Sequence, residues 1–125
     1  MSGVFAVTTR TVPTGTVLAF AGELDSGTAP AAHGAMTKLS LNAGDQLVVD
    51  LAGLEFCDSS GITVLVSAHN LARGAGAGFA LAAVSRQLGR TLDILGLTGL
   101  FATYPTADDA SAAWSPAGSR EDGVV

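Results

Sequence analysis

Leu47-Val48-Val49-Asp50-Leu51 is followed, after Ala52-Gly53-Leu54-Glu55, by Phe56-Cys57-Asp58-Ser59-Ser60-Gly61-Ile62. The first run is β-branched and leucine-rich, the composition of a strand buried on both faces in a parallel sheet. From Ile62 to Arg73 the apolar spacing becomes helical. An Asp-Ser-Ser-Gly turn therefore joins a buried strand to a helix. In open α/β sheets ligands and partners meet at the carboxyl ends of strands, which is where this turn falls. Two adjacent hydroxyls at a helix start make it the first candidate site.

The chain has 125 residues, which suits a single domain. Nearly half are hydrophobic, but alanine swells that share, so a core of small residues is expected. Six Lys and Arg stand against eleven Asp and Glu, a net charge of −5. That balance argues against direct nucleic-acid binding, which needs a basic face. No apolar run reaches the roughly 20 residues of a membrane span, and the start lacks the pattern of a secretory signal. Cys57 is the single cysteine. It excludes an internal disulfide and fits a reducing cytoplasm, the expected location.

Outward from the central stretch the pattern is regular. Val4 to Thr11 and Thr16 to Ala21 read as a hairpin about Pro13-Thr14-Gly15. Gly22-Glu23-Leu24-Asp25 follows, and Ser26 or Thr28 can cap a first helix with Pro30 in its first turn. Ala32, Ala35, Met36 and Leu39 give that helix its inner face, and Asn42-Ala43-Gly44 stops it. Beyond the second helix, Phe79 to Val84 is another buried strand. Ser85 caps a third helix with Leu88, Leu92 and Leu95 inward, and Gly96 ends it. Leu100 to Tyr104 is a short last strand and Thr106 to Trp114 a closing helix, with Trp114 packing it to the body. The expected fold is α/β: a small mixed, mostly parallel β-sheet packed with about four helices, in the order ββαβαβαβα. Residues 1–114 form one domain. Residues 115–125, polar and carrying Pro116 and Gly118, form a flexible tail.

On a helical wheel Gly61, Val64, Leu65, Ala68, Leu71 and Ala72 share the core side of the second helix. Thr63, Ser67 and Asn70 lie opposite. Ile62, Val66, His69 and Arg73 form a flank between them. Ile62 and Val66 are then apolar residues near the surface beside the serines: either a neighbouring helix covers them or they are a docking patch.

Catalytic chemistry finds little support. A serine nucleophile needs a histidine base, and Cys57-Asp58-Ser59-Ser60-Gly61 lacks the leading glycine of a Gly-x-Ser-x-Gly elbow. His33 and His69 fall on helices and read as surface residues. No His/Cys/carboxylate cluster has metal-ligand spacing. Gly74, Gly76 and Gly78 precede a strand instead of opening a helix, against a phosphate cradle. Neither an enzyme nor a cofactor is expected.

Three stretches resemble the STAS-domain family, in its anti-sigma-factor antagonist branch. Gly22-Glu23-Leu24-Asp25 is similar to an element after the family's second strand. Val48-Val49-Asp50-Leu51 through Asp58-Ser59-Ser60-Gly61, then Leu65, resembles its signature. Leu88 to Phe101, with Gly96-Leu97 and Leu100-Phe101, resembles its third helix and the following turn. The likeness runs from about Phe5 to Trp114; the first helix is richer in alanine and glycine than the family pattern and the acidic tail is unmatched. The resemblance implies a regulatory protein that binds an anti-sigma factor, commonly a serine kinase, and so releases a sigma factor. It implies phosphorylation of the first serine after the aspartate, here Ser59, reversed by a serine phosphatase. Asp25, Asp58, Ser59, Ser60, Gly61, Ile62 and Val66 are the expected partner-binding residues. A helix cap needs one such side chain, so three in succession leave hydroxyls to spare. The other reading is a STAS module serving as a scaffold or transport-assembly subunit, its serines structural.

Overall fold

A computed structural model describes residues 4–115. The element order is β1 (Phe5–Val12), β2 (Gly15–Leu24), α1 (Ala29–Thr37), β3 (Gln46–Cys57), α2 (Ser59–Gly74), β4 (Gly78–Ala82), α3 (Arg86–Ile94), a 3-10 turn at Thr98–Leu100, β5 (Ala102–Tyr104) and α4 (Ala107–Ala113). The five strands lie in sequence order, β1-β2-β3-β4-β5. β1 and β2 form the expected antiparallel hairpin, with Val12 opposite Gly15, and every other pairing is parallel. The sheet is thus mixed and mostly parallel.

Crossovers between adjacent parallel strands take one hand, so α1, α2 and α3 fall on the same face. Strand alternation divides the core accordingly. Leu18, Phe20, Leu47, Val49, Leu51 and Leu81 meet α1, α2 and α3 in one cluster. Val17, Val48, Ala80 and Ala82 meet Ala107 and Ala110 of α4 on the other face. The second layer is built of alanine and valine, which lets a short helix sit close. Trp114 fastens its end: Nε1 donates to the Gly44 carbonyl at 3.0 Å, and the indole lies over Gly78 where no Cβ would fit.

Several boundaries differ from the sequence reading. α1 ends at Thr37, and Leu39 packs from the following loop. β2 runs on to Leu24, so Gly22-Glu23-Leu24 is strand, not the loop after it. β4 stops at Ala82; Ala83 turns the chain with φ 59. Leu100 lies in the 3-10 turn, and Leu95 points outward, 54% exposed. The expected tail, apart from Ser115, lies outside the described residues.

The wheel of α2 is rotated from the expected one. Its buried arc is Gly61, Ile62, Val64, Leu65, Ala68, His69 and Ala72. Ile62, expected near the surface, is 7% exposed and belongs to the main core, while Leu71, expected inside, is 39% exposed. The flank is covered because α1 packs beside α2 and two aromatic rings close it further along. His69, expected at the surface, is buried edge-on to Phe79 and Phe101, with ring centroids 5.5 and 5.8 Å away.

Candidate functional site

The strand β3 delivers the Asp58 turn to the carboxyl edge of the sheet. Its pairing with β2 carries two irregularities, between Ala19 and Ala21 and between Gly22 and Glu23. Each places an extra residue in β3, bending the strand and re-aiming its end, as bulges beside functional sites do. Register recovers at Glu23 opposite Phe56 and carries on to Leu24 opposite Cys57. The Asp58 N–H then donates to the Leu24 carbonyl at 3.2 Å. The turns after β2 and β3 are therefore neighbours, and Asp25 and Asp58 share one edge of the sheet.

Asp58 is the N-cap of α2, with φ −100 and ψ −165. Its Oδ1 accepts from the Ser60 N–H at 2.8 Å and the Gly61 N–H at 3.2 Å. One carboxylate satisfies two of the four amides that a helix start leaves open. Ser59 is the first helical residue and is exposed; its hydroxyl makes no hydrogen bond among the described residues. Its carbonyl accepts from the Thr63 hydroxyl at 3.1 Å, which turns Thr63 back along the helix. Ser60 is half-buried. Gly61 is buried where the first turn of α2 meets β2 and β3: a Cβ there would lie 2.5 Å from Cys57 Sγ and 3.0 Å from the Leu24 carbonyl oxygen. Val66 is half-buried against the main core.

The Asp25 turn is closed by its own carboxylate. Oδ1 accepts from the Gly27 N–H at 2.9 Å and the Thr28 N–H at 3.1 Å. The Thr28 hydroxyl donates to the Glu23 carbonyl at 2.7 Å and accepts from the Asp25 N–H at 2.9 Å. Of the two expected caps of α1, Ser26 or Thr28, Thr28 holds the N-cap position but makes no side-chain cap bond and ties the end of β2 instead. The signal was an Asp three residues before a Thr, which permits this reciprocal closure.

Cys57 lies half-buried under the turn, its Sγ 3.7 Å from the Asp58 carbonyl. Burial, and then the Asp58 carboxylate, push its thiol up to about 11. It is a neutral packing group, not a nucleophile. Among the described residues no set of three His, Cys, Asp or Glu could hold a metal ion, and no helix is long and apolar enough to cross a membrane. Sequence reasoning passed over Phe56 and Glu55. Both are exposed beside the turn, Phe56 by 52%. Simple alternation could not place them, because the irregularities of β3 reset its phase.

Residues 6–110 match the STAS domain. The chain belongs to the STAS-domain family. Among solved structures, this STAS domain is similar to an anti-sigma factor antagonist from Mycobacterium paratuberculosis, with 29% identity, 91% of this chain and 98% of that one covered, and a TM-score of 0.78. It shares the fold of the phosphorylated Bacillus cell-fate determinant SpoIIAA, at 19% identity, 84% and 96% coverage and TM-score 0.60. It also shares the fold of a sulfate transporter family protein from Wolinella succinogenes, at 17% identity, 77% and 80% coverage and TM-score 0.66. A search of curated proteins gives no match.

Proposed function

We propose that this STAS domain is an anti-sigma-factor antagonist: it binds an anti-sigma factor that is a serine kinase, so releasing a sigma factor, and phosphate on Ser59 ends that binding until a serine phosphatase removes it. The observation that carries this reading is the division of labour at the turn. Asp58 caps α2 alone, and Ser59 beside it is exposed with an uncommitted hydroxyl. A hydroxyl that supports nothing can accept a phosphate without removing a structural bond. The docking surface comprises Asp25, Asp58, Ser59, Ser60 and the open part of Val66. Gly61 and Ile62 act from beneath, seating the first turn of α2. The family match and the likeness to the mycobacterial antagonist support this role.

The discriminating experiment is incubation with ATP and the anti-sigma kinase co-purified from the native host, followed by intact mass and phosphosite mapping. Calorimetric titration then compares the unmodified and phosphorylated forms with Ser59→Ala and Ser59→Asp. Unmodified protein and Ser59→Ala bind. The phosphoprotein binds about 2–5 kcal/mol more weakly, the cost typical of an unpaired charge in a buried interface, which is roughly thirty-fold or more in affinity. Ser59→Asp falls between, having less charge than a phosphate. Equal affinities across the four forms refute the switch.

A further inference from the structure

β3 outruns its neighbour. Its register with β4 begins at Gln46 opposite Gly78 and ends at Asp50 opposite Ala82. β3 continues to Cys57, held on the other side by β2. From Ala52 to Phe56 the edge that β4 would have covered pairs with no strand among the described residues. The start of α3 stands across the gap, and between them lies a groove of about 190 Å³. Leu51, Leu54, Phe56 and Leu88 supply its apolar lining, Ser85 lies on the far wall, and Glu55 is the single charge.

Natural proteins shorten, cover or charge an open strand edge, because it templates pairing with another chain. Here two irregularities, Glu55, and the Asp50 carboxylate, which accepts from the Ala52 N–H at 3.0 Å, temper the edge without covering it, and it carries the large Phe56 side chain into solvent next to Ser59. Its charge indicates what can lie there. Residues 19–28 and 50–63, the carboxyl ends of β2 and β3 with their turns, hold Glu23, Asp25, Asp50, Glu55 and Asp58 and no lysine or arginine. On the far wall, Arg86 and Arg90 of α3 stand next in the chain to the lining residues Ser85, Gln87 and Thr91, and neither belongs to the lining.

We infer that the open edge of β3 from Ala52 to Phe56 receives an extended segment of the partner protein as an added strand, one that alternates apolar and basic side chains. The inference rests on the antagonist reading and deepens it by naming the contact. Main-chain hydrogen bonds to an exposed edge give affinity and alternate side-chain pockets give selectivity, the general mode of strand addition. The apolar side chains enter the groove beside Leu54 and Phe56, and the basic ones meet Glu55 and the carboxylates of the rim. The added strand continues the line of β4 and ends at the Asp58 turn, so a phosphate on Ser59 alters the charge at its end.

The probe is an acetylated eight-residue peptide of alternating valine and lysine, titrated into the isotope-labelled full chain and read by amide chemical shifts. The expected result is saturable shifts confined to Ala52–Phe56 and the first turn of α3. The matching valine–glutamate peptide binds at least about ten-fold more weakly. Glu55→Lys weakens the lysine peptide by about five-fold, the upper range for an exposed ion pair, with circular dichroism unchanged. Shifts centred on β1, equal binding of both peptides, or an unchanged Glu55→Lys overturn the inference. So does concentration-dependent broadening of Ala52–Phe56 without peptide, which assigns the edge to a second copy. A chain that holds the anti-sigma kinase but no peptide keeps the antagonist role and loses this contact. One that binds the peptide but gains no phosphate at Ser59 keeps the contact and loses the switch.

Discussion

Gly61→Ala tests whether the site is set by how closely α2 sits on the strand ends. The added methyl would lie 2.5 Å from Cys57 Sγ, 3.0 Å from Leu24 Cγ and 3.0 Å from the Leu24 carbonyl oxygen. Side-chain atoms can yield. The carbonyl cannot, since it accepts the Asp58 N–H and belongs to β2. Overpacking of this kind costs about 1–3 kcal/mol. Replacing glycine by alanine in a helix returns up to about 1 kcal/mol, so a net loss of about 1–2 kcal/mol is expected. The assay is urea denaturation of Gly61→Ala, Cys57→Ala and the double variant, with constant slopes required before midpoints are compared. Removing Sγ opens one of the three contacts, so the double variant should recover about 0.5–1 kcal/mol relative to additivity. Additive losses, or a neutral Gly61→Ala, would refute the close seating. The same lift of α2 should slow phosphorylation of Ser59, because the serine moves with the turn.

The remaining expectations concern the cap and the thiol. Asp58→Ala removes the acceptor of two amides and should cost about 1–2 kcal/mol, a fall of roughly 5 °C in a calorimetric melt of a domain this size. Ser60→Ala, which removes a hydroxyl with no hydrogen bond among the described residues, should stay within about 0.5 kcal/mol of the parent in the same melt. A thiol raised from 9.0 to about 11 has about a hundred-fold less thiolate at pH 8, so iodoacetamide should label the native chain about two orders of magnitude more slowly than the urea-unfolded chain. The folded thiol keeps its proton longer than the unfolded one. Its contribution to stability is therefore complete below pH 9 and lost as pH rises towards 11, and Cys57→Ala should flatten that alkaline limb in denaturation midpoints.

Much of the fold was legible because its signals are local. Leu47-Val48-Val49 fixed a doubly buried strand, Pro13-Thr14-Gly15 a hairpin, and Ser85 a helix cap that the structure shows accepting from the Leu88 N–H at 3.1 Å. What sequence could not supply was tertiary cover. Ile62 and His69 lie on the flank of an isolated wheel, and only α1, Phe79 and Phe101 make that flank an interior. Leu95 fits the α3 spacing yet projects outward where the helix ends, and its N–H bonds the Thr91 carbonyl in the terminal turn. The Asp-Ser-Ser-Gly turn was readable as a helix start. The assignment of its cap to Asp58 alone was not, because each of the three side chains could have served.

That assignment decides how phosphate at Ser59 acts. At the first turn of α2 an anion gains about 0.3–1 kcal/mol from the helix dipole and open amides, but Asp58 already occupies the Ser60 and Gly61 amides. The dipole term is therefore near the low end of its range. Against it stands repulsion from Asp58 and Asp25. The site is exposed, so that repulsion is screened by water and salt, and an exposed pair at such a surface is worth at most about 1 kcal/mol. The two terms are small, opposed and comparable, so the isolated domain keeps its fold. Against a partner surface the balance changes. Water leaves, the effective dielectric falls, and the same charges interact several-fold more strongly. The phosphate's extra charge of about −1.5 to −2 then counts almost wholly against binding. A modification nearly silent in the free protein and costly in the complex is what a reversible switch requires, and it follows from a serine whose hydroxyl the fold does not use.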